Sequence, residues 1–173
     1  MSEEPKNYVM KPALCLDFDG TIRYSKTGKF INRPDDIILF SDVQDKIWEY
    51  RNNGFLIFGI TNQGGVAFGF KSVEDIEKEN QRTLDLFEKN PFHIVQASFA
   101  HEKGRDNNYK YKSLLRKPNY GMLVLCEVMA KNLGFNVDWD QSIFVGDRDD
   151  DENCAINAGI KFISANDFFE RET

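Results

Sequence analysis

Short apolar runs alternate with helical patterns along this chain. Ala13–Phe18 is apolar until it ends in acids and Gly20, which predicts a buried strand with polar groups at its C-terminal end. From Ser41 to Asn53 the spacing is helical, with Val43, Ile47 and Tyr50 on one face. Ser41 and Gln44 are placed to form a capping box, and Gly54 to end the helix in the left-handed conformation. Phe55–Ile60 predicts a second buried strand. Ser72–Asn90 predicts a helix started by Ser72 and stopped before Pro91. Ile94–Phe99 is a third strand, and His101–Lys117 reads as a loop. A helix over about 119–133, ended by Gly134, leads to strand Ile143–Val145, a short helix Asp150–Ala158 ended by Gly159, and strand Lys161–Ile163.

Strand and helix thus alternate five strands deep. That order predicts an α/β fold: a doubly wound, Rossmann-like parallel sheet of about five strands with helices on both faces and right-handed crossovers. Ligands of such sheets bind at the C-terminal ends of the strands. The residues just after each strand therefore carry the functional information.

Composition narrows the class without deciding it. The chain has 173 residues, 41% hydrophobic and 29% charged, as expected for one globular domain over residues 1–173 with a core from about 13 to 164. The longest clean apolar run, Phe55–Ile60, is far short of the about 20 residues a membrane span needs. The polar, acidic N-terminus resembles neither a signal peptide nor a transit sequence. Cys15, Cys126 and Cys154 are odd in number and widely spaced, so they read as buried thiols in a reducing compartment, the cytoplasm. The formal net charge of −6 weighs mildly against polyanion binding. It is unevenly spread: residues 102–117 carry six basic side chains and two acids, whereas 138–173 carry ten acids and three bases.

Four strand ends hold the candidate chemistry. Asp17 and Asp19, two apart, point to the same side while Phe18 turns away. Two such carboxylates persist together only with a shared proton or a hard cation between them. Asp147, after the fourth strand, brings a third carboxylate to the same edge, and carboxylates without imidazole or thiolate favour Mg²⁺ over zinc. Thr61-Asn62-Gln63-Gly64-Gly65 offers a hydroxyl, two amides and main-chain donors suited to phosphate oxygens, although any tight turn uses the same residues. Lys117 supplies a compact cation, with Pro118 expected to start the next helix.

Together these groups describe phosphoryl transfer. Asp17 attacks phosphorus as a nucleophile, giving an aspartyl-phosphate. Asp19 protonates the leaving alkoxide and then takes a proton from the hydrolytic water. Mg²⁺ and Lys117 offset the charge, and Arg116 forks onto phosphate oxygens.

The same residues resemble the four motifs of the haloacid dehalogenase superfamily, in order and spacing, over almost the whole chain. Asp17-Phe18-Asp19-Gly20-Thr21 resembles motif I, Thr61 motif II, Lys117 motif III, and Asp147 with Asp151 motif IV. Thr61-Asn62-Gln63-Gly64-Gly65-Val66 and Arg116-Lys117-Pro118-Asn119-Tyr120-Gly121-Met122 are similar to one subgroup: heptose 1,7-bisphosphate and histidinol-phosphate phosphatases and polynucleotide 3′-phosphatases. The resemblance implies Mg²⁺ held by the Asp17 side chain, the Asp19 carbonyl and Asp147. It implies Thr61, Arg116 and Lys117 on the transferring phosphoryl group, Asn62, Gln63 and Arg148 on substrate, and Asp151 supporting Lys117 or a metal-bound water. Several relatives carry a cysteine/histidine zinc loop before Arg-Lys-Pro; residues 99–116 contain His101 but no cysteine, so no structural zinc is expected.

Neither interval between motifs has room for a full cap domain. The expected site is open, roofed only by a Thr21–Arg33 flap and the basic loop. The leading expectation is a Mg²⁺-dependent phosphomonoesterase for a small phosphorylated metabolite, a sugar bisphosphate first. The alternative is a 3′-phosphatase for nucleic-acid ends, encouraged by Tyr109 and Tyr111 among Lys110 and Lys112. A phospho-accepting signalling module is disfavoured because it leaves Asp19 without a task. The sequence gives no handle on oligomeric state, and a monomer is the expectation carried forward.

Overall fold

The computed structural model describes residues 7–172, so the leader reading at the extreme N-terminus lies partly outside the described residues. Along the chain run β1 (Val9–Leu16), β2 (Arg23–Ser25), β3 (Ile37–Leu39), α1 (Val43–Asn52), β4 (Leu56–Asn62), α2 (Val73–Asp85), β5 (Ile94–Ser98), α3 (Gly121–Asn132), β6 (Phe135–Gly146), α4 (Asp149–Ala158), β7 (Lys161–Ser164) and α5 (Ala165–Phe168). Five strands form one sheet in the order β5-β4-β1-β6-β7, with every pairing parallel. The α/β architecture expected from the alternation is the one observed.

The strands are buried on both sides, and their period of two sorts the core into two layers. Ala13 and Cys15 of β1, Phe58 of β4 and Phe144 of β6 pack with Met122, Leu123 and Cys126 of α3 and Cys154 of α4. Leu14 and Leu16, Ile57 and Val145 face the other way, onto Val43 and Ile47 of α1 and onto Phe168. Each fully buried Leu, Ile, Val, Met or Phe side chain among these contributes roughly 1.5–3 kcal/mol.

Several boundaries differ from the sequence expectation. The first strand begins at Val9 because β6 reaches back to Phe135 and pairs 135–138 with 9–12 before a register shift at Pro12/Leu14. Ser41 and Gln44 do not form a capping box. Asp42 precedes α1 without a side-chain cap, and Gln44 Oε1 accepts from the Glu88 main-chain N–H instead. At α2, Ser72 does form the cap, reciprocally with Asp75, but the helix stops at Asp85 rather than Asn90. Pro118 does not start α3: its peptide bond with Lys117 is cis, and the helix begins at Gly121. There the Gly121 N–H closes back onto the Leu114 carbonyl, leaving no room for a β-carbon. Gly54 and Gly159 take positive φ after their helices, as expected.

No large cap covers the sheet among the described residues. Between β1 and β4 lie only the antiparallel hairpin β2–β3, with a single 3-10 turn at Pro34–Asp36, and α1, and between β4 and Lys117 only α2, β5 and an irregular loop. The hairpin is held by Asp36, whose buried carboxylate accepts from Ser25 Oγ, from Thr27 N and Oγ1, and from Asn32 N. Those hydrogen bonds, from Ser25 and Thr27 foremost, hold its carboxyl at about 2. The loop after β5 is pinned by the Ala67 carbonyl, which accepts from Arg105 N and Asp106 N.

Candidate active site

Strands β4, β1 and β6 are neighbours, so the residues at their C-terminal ends meet. Asp17 follows β1, Thr61 and Asn62 end β4, and Asp147 follows β6. Asp17, Asp147 and Asp151 each offer a carboxylate oxygen within 4.8 Å of the others. Thr21 Oγ1 donates to Asp17 Oδ2 at 3.3 Å and reaches Asp147 Oδ1 at 3.5 Å. Gly20 takes φ +87°, and a β-carbon there would run into the Asp147 carboxylate. Only glycine allows that close approach.

Lys117 enters from the loop before α3 and is 2% exposed. Its Nζ donates to Asp17 Oδ1 at 2.6 Å and to the Ile60 carbonyl at 2.8 Å, and lies 2.6 Å from Asp151 Oδ1. Burial works against its charge, but the two carboxylates prevail and raise its pKa, so the ammonium stays protonated. Burial pushes the Asp17 carboxyl up, against the pull of Lys117. The other oxygen of Asp151 accepts from the Asp147 and Arg148 main-chain N–H groups, capping α4. Both Asp151 oxygens are therefore engaged. Asp17 and Asp147 remain for a cation, and an all-oxygen carboxylate set suits a hard ion such as Mg²⁺.

Asp19 is placed differently from Asp17. Its Oδ1 accepts from Arg23 Nε at 2.7 Å and its Oδ2 from Gln63 Nε2 at 2.8 Å. Burial alone would raise its pKa; the charge and hydrogen bond of Arg23, with the Gln63 hydrogen bond, hold it below the ordinary carboxylate value. Gln63 Nε2 also donates to Thr61 Oγ1 at 2.8 Å. A cleft of about 1030 Å³ opens over these groups, lined among others by Asp17, Asp19, Gln63, Arg116, Lys117 and Asp147.

Residues 13–169 match the family described as Polynucleotide kinase 3 phosphatase. The chain belongs to this phosphatase family, within the haloacid dehalogenase superfamily. The phosphatase is 30% identical over 152 residues to D-glycero-D-manno-heptose-1,7-bisphosphate 7-phosphatase of Chlorobaculum tepidum, covering 87% of this chain and 76% of the relative. A crystal structure of a HAD-like phosphatase from Mesorhizobium loti superposes with a TM-score of 0.75 at 29% identity, over 92% of this chain and 74% of that one. D,D-heptose 1,7-bisphosphate phosphatase from B. bronchiseptica, crystallised with magnesium and phosphate, shares the fold at a TM-score of 0.66 and 21% identity, over 87% and 78% of the two chains.

All ten residues singled out in the phosphatase sequence lie at this one sheet edge, though not all face the cleft in the same way. Both polar atoms of the Asn62 side chain are engaged by the main chain of Lys117, Nδ2 donating to its carbonyl and Oδ1 accepting from its N–H, each at 3.0 Å. That geometry makes Asn62 a clamp on Lys117, while both Asn62 and Gln63 line the cleft. Arg116 is half-buried, its Nη1 3.4 Å from the Ala100 carbonyl. Arg148 stands at the rim, its side chain 65% exposed and its Nε 3.9 Å from Asp147 Oδ2. His101 packs its ring on Phe68 and lines the cleft.

Three features of the phosphatase site were not foreseen. Arg23, fully buried, reaches Asp19. Lys71 Nζ binds Glu79 at 2.7 Å and the Ile31 carbonyl at 2.5 Å, tying the flap to α2. Phe30 and Phe70 line the cleft with 67% and 74% of their surface exposed. A basic residue directly after Asp-Gly-Thr-Ile was the only sequence signal, and its partners lie 56–60 residues downstream.

Proposed function

We propose that the chain is a single catalytic domain, residues 1–173, that hydrolyses phosphomonoesters in the cytoplasm with Mg²⁺ through an aspartyl-phosphate on Asp17. The observation that carries this reading is the meeting of the Asp17, Asp147 and Asp151 carboxylates with the buried Lys117 ammonium. Asp17 Oδ2 attacks phosphorus while Lys117 holds Oδ1. Asp19 gives its proton to the leaving oxygen as the P–O ester bond breaks, and takes one from water as the acyl-phosphate is hydrolysed. Magnesium bound by Asp17, Asp147 and the Asp19 carbonyl would offset the repulsion between carboxylate and phosphate dianion. Thr61 and Arg116 steady the phosphoryl oxygens, and Asp151 keeps Lys117 charged and in place.

The substrate is a small phosphorylated metabolite, and a sugar bisphosphate fits best. The heptose bisphosphate relatives support this choice, and the exposed Arg148 at the rim suits a second, remote phosphate. A second reading, a 3′-phosphate on a nucleic-acid end, is favoured by the bare rings of Phe30 and Phe70 along an uncapped cleft, since such rings stack bases. Phosphate release from heptose 1,7-bisphosphate, histidinol phosphate and a 3′-phosphorylated oligonucleotide separates them. Highest kcat/KM on the heptose is expected; efficient cleavage of the oligonucleotide alone would overturn the metabolite reading.

A further inference from the structure

Arg23 is among the largest side chains of the molecule without solvent exposure. It opens β2, yet its guanidinium points away from solvent into a fixed frame. Nη1 donates to Thr83 Oγ1 at 2.7 Å, to Asn80 Oδ1 at 3.1 Å and to the Glu79 carbonyl at 3.3 Å, all on α2. The guanidinium carbon lies 5.1 Å from the Phe18 ring centroid, and the buried Nη2 has no hydrogen-bond partner among the described residues. Nε is left for Asp19 Oδ1, at 2.7 Å.

Stability does not account for such a residue. Burying a guanidinium costs several kcal/mol, and a hydrophobic side chain of similar volume is on average at least as stable. An orphaned buried N–H adds a further cost. What the arrangement does achieve is rigidity: three contacts on α2 and one ring fix the guanidinium, and the guanidinium fixes one oxygen of Asp19. The other oxygen, Oδ2, is left to Gln63, which lines the cleft with Asp19.

We propose that Arg23 is a positioning residue for catalysis, fixing Asp19 Oδ1 so that Oδ2 is turned towards the leaving group. This rests on the reading of Asp19 as the proton-transferring group. Arg23 takes part in no bond change. In the first step the Asp17 oxygen–phosphorus bond forms, the ester P–O bond breaks and the Asp19 proton goes to the leaving oxygen. In the second, a water proton returns to Asp19 as the acyl-phosphate is cleaved.

The prediction concerns leaving groups. kcat/KM reports events up to release of the leaving group. An alkoxide needs a proton from Asp19; p-nitrophenolate does not. Arg23→Met should lower kcat/KM for an alkyl monoester such as glycerol 2-phosphate ~10–100-fold and for p-nitrophenyl phosphate by no more than ~3-fold. Should Arg23→Met not fold, Thr83→Val, which removes the 2.7 Å anchor, should give the same selectivity at smaller amplitude. Asp19→Asn is the reference: it should show the selective loss, and Arg23→Met added to it should deepen that selectivity no further. Equal losses on both esters, or none, in a folded variant would overturn the role of Arg23 while Asp19→Asn remains selective. If Asp19→Asn itself is not selective, the reading of Asp19 falls and the proposal with it.

Discussion

Lys117 Nζ lies 2.6 Å from Asp151 Oδ1, with both side chains 2% exposed. The same ammonium touches Asp17 at the same distance. One cation thus stands between two buried carboxylates, one of which is the proposed nucleophile. Asp151 is itself fixed by main-chain N–H groups of Asp147 and Arg148 and by the absence of a side chain at Gly146, where a β-carbon would collide with it.

Asp151→Asn should therefore act on two quantities at once. It removes one partner of a buried pair, so thermal unfolding should show a loss of about 3 kcal/mol. Lys117 loses its second anchor, so kcat should fall ~10–100-fold while KM changes little. Unchanged kcat in the folded variant would remove Asp151 from the site.

Asn62 gives a sharper test of placement. Its amide both donates to and accepts from the Lys117 main chain. Asn62→Asp retains an acceptor for the Lys117 N–H but sets a carboxylate oxygen against its carbonyl. It should lower kcat for every ester by a similar factor, with a stability loss of about 1–3 kcal/mol. A change in KM specific to one substrate would instead mark Asn62 as a substrate contact.

The parallel sheet and the meeting of Asp17, Thr61, Lys117 and Asp147 were legible because each is encoded locally: an apolar run, then a polar residue where the strand ends. Other features depend on residues distant in sequence. Arg23 and Asp36 look like ordinary polar residues of an exposed flap, since nothing near them announces Thr83 or the hydrogen-bond donors that bury them. Phe135, Val137 and Trp139 do alternate with Asn136, Asp138 and Asp140, but so much acid in a strand reads as a loop until β1 pairs with it. Ser41 and Gln44 had the right spacing for a cap, and Glu88 took Gln44 instead.

Acid should destabilise the fold in two stages. His93 Nδ1 accepts from Ile57 N at 2.9 Å, and burial first, then the charges of Arg51 and Lys11, push its pKa down to about 4 from 6.5. Between those values the unfolded chain binds more protons than the folded one, so stability is complete above pH 6.5 and falls as pH drops toward 4. Asp36, at about 2 against an ordinary 3.8, adds a further loss below that range. Melting temperatures from pH 7 to 3 should fall along this course, and His93→Gln should flatten the portion between 6.5 and 4. A flat profile in wild type would contradict it.

Phosphate release from p-nitrophenyl phosphate by the wild type and by Asp17→Asn, each with Mg²⁺ and with EDTA, tests the central claim most directly. Wild type with Mg²⁺ should turn over many times per chain, and Asp17→Asn or EDTA should each reduce the rate at least ~10³-fold. Turnover retained by Asp17→Asn, or undiminished in EDTA, would contradict an aspartyl-phosphate formed on Asp17 beside a metal.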